Sequence, residues 1–377
     1  MTWSDLHSES ERLATQASLQ MRAGQIAEAI QLYKSAADFE TKALNEVTAA
    51  KPRTLGATAL SAVSLWYKAH EYVVAESTAH ILLARRDLPK FAVEELKSLL
   101  QTLWSETAME KAGVKFIGGE VLVSVSGGEI VTGGAPLDLI LRKVEEVRAL
   151  IFRTAEYLVQ APHRKRGLPS EEIQQICRPW LFQAAPGSYQ FAVRVQSPPQ
   201  LPMFPGVALK VEEVTPKLLQ IVRASAEDPE GTLPQIVPDP EYRSTFLKLT
   251  RNLAPTGKSY TQVEVKPVWP SEQPAVTLRS QVRDAISGAI RHETMRTPQP
   301  RGRKQTTLKG VLRALHLDKD WLEITVRDES GERHIRVLRA GEAVDDVIGS
   351  MVNRMVSLDV SVSPAGRHYL IDIQPVD

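Results

Sequence analysis

Between Ala17 and Ala36 the chain orders small residues and one aromatic in a way that narrows its local fold sharply. Gly24 sits at a break between two stretches of helical pattern. Ala29, Tyr33 and Ala36 follow it at helical spacing, and Ala17 precedes it. Small residues at such places let two helices approach closely, and an aromatic fills the groove between them. The segment from Ala23 to Ala36 therefore reads as the turn and second helix of a helical hairpin. A weaker unit follows, with Leu65, Trp66, Ala69, Tyr72, Ala75, Ala79 and Leu82 at helical spacing across a break at His70-Glu71, where His70 replaces the turn glycine. A further helix from Pro89 to Glu106 caps the stack, with the proline tolerated in its first turn.

This order of glycine, alanine, aromatic and alanine resembles the tetratricopeptide pattern, over roughly the first hundred residues. The resemblance implies hairpins that dock other proteins and rarely carry chemistry. The distance from Ala29 to Ala75 exceeds the family repeat of about 34 residues, so a short platform of two hairpins is expected rather than a long solenoid. Residues 4–110 form this helical domain, with Tyr33, Trp66 and Tyr67 as its candidate protein-binding aromatics.

Residues 113–291 mix strand and helix patterns and suggest an α+β domain with a small mixed sheet covered by helices. Glu120–Val125 and Glu129–Val131 flank Ser126-Gly127-Gly128, a hairpin signature. Pro136 opens a long amphipathic helix through Ile140, Val144, Val147, Ile151 and Ala155, with Leu137 and Leu141 on the same apolar face. A short helix is expected over Ser170–Cys177, and a half-buried strand over Tyr189–Val195. Thr215-Pro216 and Asp239-Pro240 each place a capping side chain before a first-turn proline. Thr261–Lys266 alternates as a strand, and a helix is expected from Thr277.

Residues 292–306, rich in Pro, Gly and basic side chains, read as a linker. Residues 307–377 then read as a small β-barrel, with three strands, a short helix and two more strands. That order is OB-like, and an SH3-like barrel is its rival. Val356, Leu358 and Val360 are expected inward on the fourth strand. Tyr369, Ile371 and Ile373 are expected inward on the fifth, and His334 and His368 face solvent.

Chemistry is sparse. Gly257-Lys258-Ser259 ends like a phosphate-binding loop, but Asn252 stands where that motif needs glycine, and the triplet leaves a helix for a strand. The histidines have no metal-ligand spacing, and no nucleophile motif is present, so neither a metal nor a cofactor is expected. The single cysteine, Cys177, reads as a small core residue. Lys+Arg 46 against Asp+Glu 45 gives a net charge of +1, which excludes a global field that draws the chain to nucleic acid or anionic lipid. A local basic cluster stands out: Arg301, Arg303, Lys304, Lys309, Arg327, Arg333 and Arg336, with Trp321 as its aromatic. His163-Arg164-Lys165-Arg166 reads as a run that closes a helix.

With no leader at Met1–Asp5, no run near about 18 apolar residues and a lone cysteine, a cytoplasmic protein off the membrane is expected. The first functional expectation is a non-enzymatic interaction or scaffold protein whose helical part docks a protein partner. The second is a nucleic-acid-binding accessory protein using the linker and barrel. The third is an enzyme with a site near Gly127–Pro136 and Gly187-Ser188.

Overall fold

The computed structural model describes residues 1–22, 25–48, 50–112, 121–131, 134–183, 189–196, 209–267, 274–296, 303–316, 318–328, 331–340 and 345–376. It is mixed α+β, with an N-terminal helical region and two sheets. The chain divides into two compact units. The first is Met1–Val114 with Gln183–Ala185 and Val268–Glu272, and the second holds the remainder.

The first unit is built from α1 (Trp3–Arg22), α2 (Ile26–Glu46), α3 (Pro52–Lys68), α4 (Tyr72–Leu83) and α5 (Lys90–Ala112). Ala23 and Gly24 lie outside the described residues, but the helices on either side carry the expected packing. Ala17, Ala29 and Ala36 are fully buried where α1 meets α2. At 20 and 21 residues, α1 and α2 together outgrow a unit of about 34 residues. The α3–α4 break falls where expected, and His70 takes the left-handed φ of +58° that a glycine adopts most easily. Tyr72 Oη lies 2.8 Å from His70 Nδ1.

In the second unit, β1 (Val121–Ser126), β2 (Arg178–Gln183), β3 (Tyr189–Gln196), β4 (Gln262–Pro267) and β5 (Val276–Leu278) form one sheet in the order β2-β3-β1-β4-β5. Its core faces α6 (Leu137–Leu158), α7 (Glu171–Ile176), α8 (Val214–Glu227), α9 (Thr232–Ile236), α10 (Pro240–Leu253) and α11 (Ser280–Arg296). Several local rules hold. Ser170 accepts from the Ile173 N–H at the start of α7, and Asp239 accepts from the N–H groups of Glu241 and Tyr242 at the start of α10. Cys177 is fully buried, and burial pushes its thiol up to about 12.

Other expectations are corrected. β1 has no hairpin partner at Glu129–Val131. It lies between β3 and β4, antiparallel to both. Gly127 and Gly128 turn the chain with φ of +78° and +62°, and a Cβ on Gly128 would sit 2.5 Å from the Ser259 carbonyl oxygen. The turn thus packs on the approach to β4 instead of starting a strand. The sheet expected to be mixed is antiparallel in its β1–β3, β1–β4 and β4–β5 pairings, because alternation fixes a residue's face and leaves strand direction open. Val276–Leu278 is an edge strand, not helix. Thr215 is no cap, since a 3-10 turn at Val211–Glu213 runs straight into α8. The His163–Arg166 run lies beyond the end of α6, in a loop.

The second sheet joins β6 (Lys304–His316), β7 (Trp321–Asp328), β8 (Gly331–Leu338), β9 (Met355–Val362) and β10 (His368–Pro375). α12 (Asp345–Ile348) precedes β9. Pairing closes on itself in the order β10-β8-β7-β6-β9, with β8 and β10 parallel and the other pairs antiparallel. Leu312, Leu322, Ile324, Val337, Val356, Leu358 and Val360 are fully buried within this ring. Gly310 is required there: a Cβ would lie 2.3 Å from the Thr325 carbonyl oxygen, so only glycine lets β6 close on β7. Of the stretch expected as linker, α11 takes residues up to Arg296 and β6 begins at Lys304.

Buried ion pairs fasten the ring to the helices. Arg251 of α10 binds Asp372 of β10 with its two terminal guanidinium nitrogens and donates to the Ile373 carbonyl (2.7 Å). Arg283 of α11 donates to the Pro375 carbonyl at 3.1 Å. Arg153 of α6 and Arg164 of the loop after it both reach Asp346 of α12, at 2.7 and 2.8 Å. Arg164 also holds Glu156 at 2.7 Å, so one member of the His163–Arg166 run is committed to the fold.

Candidate functional site

The strand ring assembles one constellation that no single segment carries. On β9 and β10 the register slips between Leu370 and Asp372. Such a bulge sets two residues against one and re-aims the side chains beyond it. Leu370 and Ile373 therefore point into the ring, opposite Val360 and Leu358, at 5% and 1% exposure. Tyr369 and Ile371, expected inward by simple alternation, face outward. His368 falls on the inward side, half-buried beside Val337 and Val362, while His334 is exposed as expected.

The outward turn of Tyr369 creates a row. Trp321 pairs with Leu338 across β7–β8, and Leu338 pairs with Tyr369 across β8–β10. Directly opposed residues share a face, so Trp321, Leu338 and Tyr369 stand side by side on three strands, each half-buried. Arginines lie over both rings. The Arg336 guanidinium is 4.4 Å from the Trp321 centroid. Arg303 is 3.9 Å and Arg339 5.7 Å from that of Tyr369. A guanidinium this close to a ring is held by the attraction of the cation for the ring's negative face, leaving a cation–aromatic surface. Arg339 leaves β8 with φ of +63°, and its N–H donates to the Asp320 carbonyl (2.9 Å), which ties the two ends of the β7–β8 hairpin together.

The basic residues singled out from sequence divide. Arg303, Arg336 and Trp321 join the row, and Lys304 is exposed at the adjoining start of β6. Arg327 is spent on Glu332 across the far end of β7–β8. Arg336 stands opposite Glu323, whose carboxylate is 3.7 Å from His334. Lys309 pairs in register with Ser357, away from the row. Arg333 shares the Ile335–Val337 side of β8 and is exposed. Arg301 lies outside the described residues. The far half of the β7–β8 face is thus charge-balanced, and positive charge gathers at the Trp321–Tyr369 end.

In the helical unit, Tyr33 and Trp66 are 7% and 8% exposed. They are core members and offer no docking surface. Trp66 Nε1 donates to Thr41 Oγ1 at 3.1 Å, and Tyr67 stacks obliquely on Tyr72 at 5.7 Å. Exposed apolar side chains of this unit include several on α4. Its inner face buries Ala75, Ala79 and Leu82, while Val73 and Ile81 on its outer face are 72% and 69% exposed and Val74 is exposed beside them.

Gly133 and Gly187-Ser188, from the third functional expectation, lie outside the described residues. Among the described residues no group of three or more His, Cys, Asp or Glu could hold a metal ion, and no helix is long and apolar enough to cross a membrane. Comparison with protein-family models, with curated proteins and with solved structures finds no match for this chain.

Proposed function

We propose that the strand ring is an OB-like barrel and that the protein binds single-stranded nucleic acid on its β7–β8–β10 face. The observation that carries this reading is the row Trp321, Leu338, Tyr369 with Arg303, Arg336 and Arg339 layered on its rings. Barrels of this strand order bind oligonucleotides on the face of their second and third strands. Stacked aromatics take bases there without regard to sequence, and arginines take the phosphates between them. Fluorescence anisotropy of the full chain with a single-stranded oligonucleotide tests the proposal. With about four cations engaged, log K is expected to fall against log salt with a slope of about −3. No binding at low salt, or binding indifferent to salt, removes it.

A second reading, protein docking by the helical region with tetratricopeptide-like hairpins as scaffold, is favoured by α4. A helix apolar on both sides normally has both covered. Val73→Asp combined with Ile81→Asp is expected to leave circular dichroism and melting unchanged, because both side chains stand in solvent. A pull-down is expected to recover a protein partner with the wild type and none with this double variant. A double variant that retains its partner sinks this reading.

A further inference from the structure

The aromatic row runs into a pocket. From Tyr369 the next outward residue on β10 is Ile371. From Ser361, opposite Tyr369, the next on β9 is Asp359, and the residue opposite Asp359 on β6 is Thr307. Ile371, Asp359 and Thr307, with Gln305, Ile290 and Arg291, line a space of about 300 Å³. That volume is at the small end for ligand pockets, so it suits one compact group and not a stretch of chain.

Its chemistry is selective. Ile290 and Ile371 supply apolar walls. Asp372, at the back, is neutralised by Arg251. Asp359 is different: Thr307 Oγ1 donates to one of its oxygens at 2.7 Å, and among the described residues nothing donates to the other. A carboxylate there repels a phosphodiester and accepts from hydroxyl groups. Arg291 lines the same space, so the discrimination acts at Asp359 itself: a strand end seated against that carboxylate is favoured when it carries hydroxyls in place of phosphate. Two vicinal hydroxyls satisfy a carboxylate better than one, and the 2′-hydroxyl is what separates RNA from DNA at such a place.

We infer that the Asp359 pocket receives the unphosphorylated 3′-terminal nucleoside of a single-stranded RNA whose preceding bases stack on Tyr369 and Trp321. This rests on the single-strand reading above, and the test separates the two. The full chain is titrated into 5′-labelled RNA of about 12 nucleotides, within the site size of such barrels. One form ends in a 3′-hydroxyl, one in a 3′-phosphate, and a third is DNA of the same sequence. The 3′-hydroxyl RNA is expected to bind about tenfold tighter than the 3′-phosphate form, the scale of one charge-assisted hydrogen bond. Asp359→Asn, isosteric and able to keep the Thr307 contact, is expected to abolish that preference while the affinity for the 3′-phosphate form rises. Equal affinity of the wild type for both RNA ends overturns this inference and leaves single-strand binding standing. Failure of all three oligonucleotides to bind at low salt overturns both.

Discussion

Asp372→Ala is expected to lower the stability of the second unit by about 3–5 kcal/mol, the cost of leaving one partner of a buried ion pair without the other. Arg251 is fully buried and Asp372 is 6% exposed, so water cannot replace the lost carboxylate. Chemical unfolding of the full chain, followed by circular dichroism, measures the loss, and a change below about 1 kcal/mol contradicts this account. Replacing both partners, Arg251→Met with Asp372→Leu, is expected to recover most of the stability, since a packed apolar pair has no charge to strand. The pair also sets a pH dependence. Burial alone raises the Asp372 pKa, but the Arg251 guanidinium and the Ile373 N–H outweigh it and hold the carboxyl below its ordinary value. A depressed folded pKa contributes stability that is fully present above the unfolded value of about 3.9. That contribution is lost as pH falls through the folded value. Wild type is therefore expected to weaken on acidification in this window, and Asp372→Asn to lack that step.

Trp321→Ala and Tyr369→Ala are each expected to weaken single-strand binding by about 1–3 kcal/mol, roughly 5- to 150-fold in Kd. The two rings lie on different strands and serve different bases, so their effects should nearly add. Tyr369→Phe keeps the ring under Arg303 and is expected to bind like wild type. Arg336→Ala removes a phosphate partner and the guanidinium over Trp321, so it should weaken binding and flatten the salt slope by nearly one ion. Anisotropy titrations at two salt concentrations read all four variants. Unchanged affinity in both alanine variants of the aromatic residues would falsify the row as a stacking platform.

What the sequence made legible was local. The Asp239 cap, the short helix after Ser170 and the helical periodicity through Val147, Ile151 and Ala155 depend on residues a few places apart, and the structure keeps them, although Leu137 and Leu141, expected on the same face, stand exposed. The buried state of Cys177 followed from its apolar neighbours. The candidate site was legible only in part. Trp321 and Arg336 face outward on adjacent strands, as their alternation implies. Tyr369 was misread because one extra residue in β10 shifts the period of two, and nothing in the local spelling of His368–Gln374 marks where the slip occurs. Leu338 joined the row only through the parallel β8–β10 pairing, which no adjacent pattern encodes. Tyr33 and Trp66 show the same limit from the other side. Helical spacing found them, but whether such a ring lines a groove or fills a core depends on which helices later cover it. The ion pairs were out of reach altogether, since Arg153 and Asp346 are 193 positions apart and Arg251 and Asp372 are 121 apart.

That last separation has a consequence for how the protein is made. β10 lies between β8 and β9, so the ring cannot close until it has emerged, and Arg251 has no carboxylate to meet before then. At typical rates of about 5–20 residues per second, the 121 positions between the two take about 6–24 seconds to synthesise. For that interval Arg251 keeps its hydration and the part of α10 that later meets β10 stays open, while α6 and α8 are already present to pack on its other sides. Local helix pairs such as α1 and α2 face no such delay, because both partners leave the ribosome together. Helix pairs of the first unit can therefore form during translation, while the strand ring, whose other four strands precede its last, waits for β10 before it closes.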